Sequence, residues 1–139
     1  MTRRHLRGGE AITYSFAKNE ETNILHQLGY YDQQRRFLSY LNDRREWMKA
    51  VVAQHLGLNS TDGCYVAKIE AWLCGGFNVC IPISIQGSGK LPGQQVVLRF
   101  ALPYRTGDNF RPGNGDEKIQ CEAGTYAWLQ HNCPDVPIP

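Results

Sequence analysis

Gln95-Val96-Val97-Leu98-Arg99-Phe100-Ala101 is a short apolar run between turn-rich segments, and it carries one cation, Arg99. Its length and its Val and Phe content read as a buried strand. Further along, Ile119, Glu122, Tyr126 and Leu129 are spaced three, four and three apart, so they share one face of a helix. A carboxylate on a packing face needs a positive partner, because an unpaired buried charge costs several kcal/mol. Arg99 is the nearest candidate partner for Glu122.

Two more strands precede this one. Cys64 to Leu73 alternates in part, with Lys68 and Glu70 on one side and Ile69 and Ala71 on the other. Cys74-Gly75-Gly76 interrupts it, and Phe77 to Ile85 is the second strand. Pro82 within it implies an edge position or a side without a partner. Gln86 to Gln95 is a Gly/Ser/Pro hairpin loop leading to the third strand at 95–101. Pro103 to Asp116 is a polar loop rich in Gly, Pro, Asn and Asp. Asn114 or Asp116 caps a helix that begins near Glu117 and runs to about His131, stopped by Asn132-Cys133-Pro134-Asp135.

Upstream, Phe37, Leu41, Met48, Val52 and Leu56 recur at helical spacing, widened by Leu38, Trp47 and Val51. They predict one long helix opening at Tyr30-Tyr31-Asp32, with Asp32 as N-cap and Gly57 at the C′ position. The plain reading of its stripe is core packing. Residues 1–29 read as a polar lead-in with a short helix over Glu20 to Gln27. The expected fold is α+β: the lead-in at 1–29, a helical prelude at 30–63, and at 64–139 a small antiparallel sheet with one helix packed on it.

A chain of 139 residues is one domain, with room for a second small unit. Such a chain buries roughly 68% of its unfolded surface, enough for a real core. A formal net charge of +2 gives no argument for nucleic acid or membrane. Arg3, Arg4 and Arg7 read as a solvated tail. The five cysteines, Cys64, Cys74, Cys80, Cys121 and Cys133, have no metal spacing and read as small buried hydrophobes in a reducing, cytoplasmic setting. The histidines are scattered, and no metal ligand set is expected. No apolar run reaches the length of a membrane span, and no secretory leader is expected.

Glycine at Gly75-Gly76 lets a backbone approach an anion closely, since no Cβ intervenes. A glycine pair in a hairpin more often means only a tight turn, and a strand arginine usually reaches for solvent. The order is more informative than the parts: glycine turn, strand cation, helix glutamate. In kinase-like folds such a set grips the phosphates of ATP.

With Trp72-Leu73-Cys74-Gly75-Gly76-Phe77-Asn78-Val79-Cys80-Ile81-Pro82, then Val97-Leu98-Arg99-Phe100, then Glu117-Lys118-Ile119-Gln120-Cys121-Glu122 and Val136-Pro137-Ile138-Pro139, the chain resembles the start of the aminoglycoside-phosphotransferase-like family, in its fungal branch. His55-Leu56-Gly57-Leu58 also resembles the end of that branch's helical prelude, and the likeness covers residues 30–139. The resemblance implies a protein-kinase-like N-terminal lobe. Gly75, Gly76, Phe77 and Asn78 match the loop over the ATP phosphates. Arg99 falls where kinases hold a lysine, and Glu122 where the helix glutamate orients it. Val136 to Pro139 match the stretch before the strand that leads to the adenine hinge.

Two departures stand out. Arginine replaces lysine on the strand, and the two are not interchangeable at a phosphate. No HxD-type or DxD-type segment follows Glu122, so the expectation is an ATP-binding lobe without the catalytic lobe and without the ligands for Mg²⁺. It would not be catalytic on its own, and a small-molecule acceptor would belong only to an intact protein. The alternative is a non-catalytic protein-interaction module that uses the long amphipathic helix and an exposed sheet face. Nucleic-acid binding through Arg3, Arg4 and Arg7 is the weakest reading, since no stacking platform accompanies them.

Overall fold

The computed structural model of this chain describes residues 3–5, 11–19, 24–86 and 93–138. In chain order its elements are β1 (Arg4–His5), β2 (Ala11–Ile12), α1 (Tyr14–Asn19), α2 (Ile24–Leu28), α3 (Tyr30–Asn42), α4 (Arg45–His55), β3 (Cys64–Val66), a 3-10 turn (Ile69–Ala71), β4 (Leu73–Cys74), β5 (Asn78–Ile85), β6 (Gln95–Ala101), α5 (Pro103–Thr106) and α6 (Asn114–Asn132). The fold is α+β with a small antiparallel sheet. β5 is its central strand, flanked by β3 and β4, and β6 also pairs with β5. The chain divides into two compact units, Met1–Leu73 with Cys80–Arg99, and Cys74–Val79 with Phe100–Pro139. The helices of 30–63 and most of the sheet strands therefore share one unit.

In the first unit α4 packs on β3. Strict alternation along β5 buries Ile81, Ile83 and Ile85, and Leu41 of α3 and Met48 and Val52 of α4 are buried in the same unit. In the second unit α5 packs on α6, and Val79, Leu102 and Tyr104 are buried. Each fully buried aliphatic side chain contributes about 1.5–3 kcal/mol relative to exposure.

The first strand is shorter than its sequence implies, and Pro82 is the reason. β3 runs antiparallel to β5 with Val66 opposite Ile83. The next pair is Ala67 and Pro82, where the Ala67 N–H donates to the Pro82 carbonyl at 2.9 Å. Proline has no N–H to return that bond, so pairing stops. The Ala67 carbonyl is instead taken by the Trp72 indole N–H at 2.9 Å and by the Arg45 guanidinium at 3.0 Å. The chain then turns through Ile69–Ala71 before β4. The residues from 67 to 72 are thus a capped turn and not strand. Of the two positions expected for Pro82, the unpaired side holds, although its strand is central.

The single helix expected from Tyr30 is two helices. The Arg44 backbone leaves helical geometry at φ −112° and ψ 25°. Its N–H turns back to the Leu41 carbonyl at 2.9 Å, and its guanidinium lies 3.4 Å from the Tyr40 ring centroid. Asn42 and Asp43, poor helix formers, sit at the break. The break aims Arg45 at β3, where it also donates to the Val66 carbonyl. Helix α3 begins after Gly29, so Asp32 lies in the first turn rather than at the N-cap. At the end of α4 the expected glycine stop is present. Gly57 has φ 63°, the Leu58 N–H donates to Ala53 at 2.8 Å, and the Gly57 N–H donates to Gln54 at 3.2 Å.

The lead-in contains paired strands β1 and β2, then α1 and α2. Of the helix expected over Glu20 to Gln27, residues 20–23 lie outside the described residues, as do 87–92 of the loop expected from Gln86 to Gln95. Gly93 and Gln94 close that loop on Ile85, with bonds of 3.1 and 2.9 Å. Strand β6 has the expected bounds, but none of its residues is buried. Val96, Leu98 and Phe100 are half-buried, while Val97 and Arg99 are exposed. Among the described residues, no helix is long and apolar enough to cross a membrane.

Candidate functional site

Gly75, Gly76, Phe77 and Asn78 form the turn between β4 and β5. The Gly75 N–H donates to the Asn78 carbonyl at 2.8 Å. Neither glycine adopts the left-handed backbone. A Cβ at Gly76 would meet nothing within 4 Å, and one at Gly75 would meet only the Asn78 carbonyl, at 3.5 Å. The fold itself therefore does not require glycine at either position.

The second unit ties this turn down from three directions. The Leu102 N–H donates to the Phe77 carbonyl at 2.8 Å. The Arg105 Nε–H donates to the Gly76 carbonyl at 2.8 Å, and its guanidinium carbon lies 5.4 Å from the Phe77 ring centroid. The Lys118 ammonium donates to the Asn78 Oδ1 at 3.0 Å. The same ammonium makes an ion pair with Glu122, four residues on along α6. Lys118 thus joins two residues singled out from sequence, Asn78 and Glu122. Its side chain is 24% exposed and that of Glu122 is 34%, so their pair contributes about 0.2–1 kcal/mol.

Arg99 belongs to the first unit and Glu122 to the second. Arg99 is exposed on β6, and the Glu122 carboxylate pairs with Lys118. On α6 the half-buried positions are Asn114, Lys118, Glu122, Tyr126 and Leu129, while Ile119 is 46% exposed. Three of the four positions read from the sequence, Glu122, Tyr126 and Leu129, are thus half-buried, and Lys118 stands in place of Ile119.

The start of α6 also differs from expectation. Its N-cap is Gly113, with φ 96°, and no side chain of the cap residue bonds to the helix. Asn114 instead donates from its side chain to the Thr106 carbonyl at 3.1 Å. The cap comes from Asp108, whose Oδ1 accepts from the Gly115 N–H at 3.0 Å and whose Oδ2 accepts from the Thr106 hydroxyl at 3.0 Å. The Gly115 amide first, then the Thr106 hydroxyl, hold the Asp108 carboxyl below the usual carboxylate range. The positive end of α6 thus already has an anion, the Asp108 carboxylate.

Between the turn and α6 lies an open depression of ≈ 410 Å³, walled by Phe77, Arg105, Asn114, Glu117, Lys118 and Cys121. Two cations and one carboxylate border it, and its walls are otherwise mostly carbon. Among the described residues no group of three His, Cys, Asp or Glu side chains stands close enough to hold a metal ion. Lys118 had one legible signal, its position four residues before Glu122. Arg105 had none, because it meets Gly76 across 29 residues of sequence. No family model, curated protein or solved structure matches this chain.

Proposed function

We propose that the chain is the ATP-binding lobe of an aminoglycoside-phosphotransferase-like small-molecule kinase, with a protein-kinase-like N-terminal lobe and no catalysis of its own. The observation that carries the reading is the Gly75-Gly76 turn. Its glycines are not demanded by the local backbone or by crowding, and Arg105 and Lys118 stand against it. A side-chain-free turn beside two cations suits close approach by a polyphosphate. In this reading Gly75, Gly76, Phe77 and Asn78 cover the phosphates, Arg99 supplies the strand cation, and Glu122 is the helix carboxylate. ATP with Mg²⁺ would supply the phosphoryl group in an intact protein, and the acceptor would be a small-molecule hydroxyl. Amide spectra of the isotope-labelled chain, titrated with Mg·ATP, with Mg²⁺ alone and with adenosine, test this. Shifts at Gly75 to Asn78 that require the triphosphate are expected. No triphosphate-dependent change at millimolar Mg·ATP would overturn binding by this lobe.

A second reading, a protein-interaction module, is favoured by one observation. Tyr65, Leu73 and Val97, all on strands of the first unit, are 52%, 66% and 58% exposed. Light scattering separates the two readings. A monodisperse monomer that binds no apolar dye counts against a covered face.

A further inference from the structure

We propose that Arg105 is a positioning residue that holds the Gly75–Asn78 turn in the shape that receives phosphate; the proposal rests on the nucleotide reading above. A turn with two glycines has more backbone freedom to lose than any other, so an unfastened one would order at the expense of ligand affinity. Arg105 reaches it from α5, a short helix packed on α6.

Arg105 makes two different contacts with adjacent residues of the turn. Its Nε–H donates to the Gly76 carbonyl, and its guanidinium carbon lies over the Phe77 ring. Only a flat, forked cation does both at once; an ammonium is a point charge on a flexible stem. The contact also has an electrostatic consequence. Carbonyl oxygens repel an approaching phosphate. Those of Gly76 and Phe77 are engaged by Arg105 and by the Leu102 N–H. With the carbonyls tied to donors, the peptide planes of the turn are fixed before the ligand arrives, which is what preorganised anion binding requires.

The test uses the whole chain, with Arg105→Ala and Arg105→Lys measured beside the wild type. Hydrogen exchange at the Gly76, Phe77 and Asn78 amides reads the turn, and calorimetry with Mg·ATP and with adenosine reads the ligand. Arg105→Ala is expected to speed exchange at the turn and to weaken Mg·ATP about tenfold, with adenosine unchanged. Arg105→Lys is expected to behave as Arg105→Ala does, because charge without the planar fork does not fasten the turn. Restoration of both exchange and affinity by lysine would overturn the proposal, since charge alone would then suffice. So would wild-type Mg·ATP affinity in Arg105→Ala. A wild type that binds no Mg·ATP defeats the nucleotide reading along with this one, whereas a wild type that binds beside an unaltered Arg105→Ala defeats the positioning role alone. Arg105→Gln, which keeps part of the stem, replaces Arg105→Ala should the latter fail to fold.

Discussion

The carbonyl of Ala67 shows how one missing hydrogen organises a stretch of chain. Pro82 cannot donate to it, and two side chains from different elements, Trp72 and Arg45, do so instead. Trp72 is 7% exposed, so its indole N–H needs this acceptor. Trp72→Phe keeps the ring and loses the donor, and chemical denaturation is expected to show a loss of about 1–2 kcal/mol. Arg45→Met also orphans the Val66 carbonyl and is expected to cost about 1.5–3 kcal/mol. Because both variants strip the same oxygen, the double variant should lose more than the sum of the singles. Additivity would mean that water replaces one donor freely. Asp108 supplies a second residue-scale prediction, this time in pH. Its folded value is depressed, so its stabilising effect is present above the unfolded value of about 3.9 and is lost as pH falls through the folded one. Wild type should therefore melt above Asp108→Asn at neutral pH, and the gap should close on acidification below about pH 4. A gap that stays constant down to the acid end would show that the charge of Asp108 is not what caps α6.

Helix α6 carries two glycines with opposite requirements, and they give a paired test of the element. A Cβ at Gly115 would lie 2.6 Å from the Asp108 Oδ2, while one at Gly124 would meet nothing within 4 Å. Alanine is the better helix former by about 0.8–1 kcal/mol. Gly124→Ala should therefore raise stability by about 0.5–1 kcal/mol. Gly115→Ala should lower it, because the Asp108 cap must move; thermal melts of the two variants decide the signs. Much at this scale was legible from pattern. The bounds of β6, the glycine stop after α4 and the strand ending at Ile85 follow from periodicity and turn chemistry. The halving of the long helix was not legible. The apolar stripe of Phe37 to Leu56 continues across Asn42 and Asp43, and periodicity does not register a change of direction between two helices. The cap of α6 was missed because Asp108 lies outside the local window of the helix start. The shortening of β3 was half legible, since Pro82 announced a missing donor without saying which strand would lose its partner.

At the scale of the whole molecule, the turn of the candidate site was legible as residue types, and the side chains that hold it were not. Gly75, Gly76, Phe77 and Asn78 stand together because they adjoin in sequence, whereas Lys118 and Arg105 reach them from 40 and 29 residues away. No local pattern encodes such contacts. The distribution of burial then predicts how unevenly the chain is held. Met48, Ile81 and Ile83 are 0% exposed, and Val52 is 3% exposed, so α4 and β5 carry the deepest packing of the first unit. Helix α1 has no buried residue, and in α6 only Gly115 is buried. Most helical stability in proteins comes from tertiary packing rather than propensity, so a helix with little buried surface opens by local fluctuation. Native-state hydrogen exchange should rank the amides accordingly. Those of Met48 to Ala53 and of Val79 to Ile85 should exchange last, near the global unfolding limit. Those of α1 should exchange first, and those of Ala123 to Gln130 in α6 well before β5. Addition of Mg·ATP should slow α6 near Lys118 and Glu122 more than α1 if the turn and that helix share a ligand. Protection in Ala123 to Gln130 equal to that of β5, without any ligand, would mean that α6 is held by more than the packing described for it.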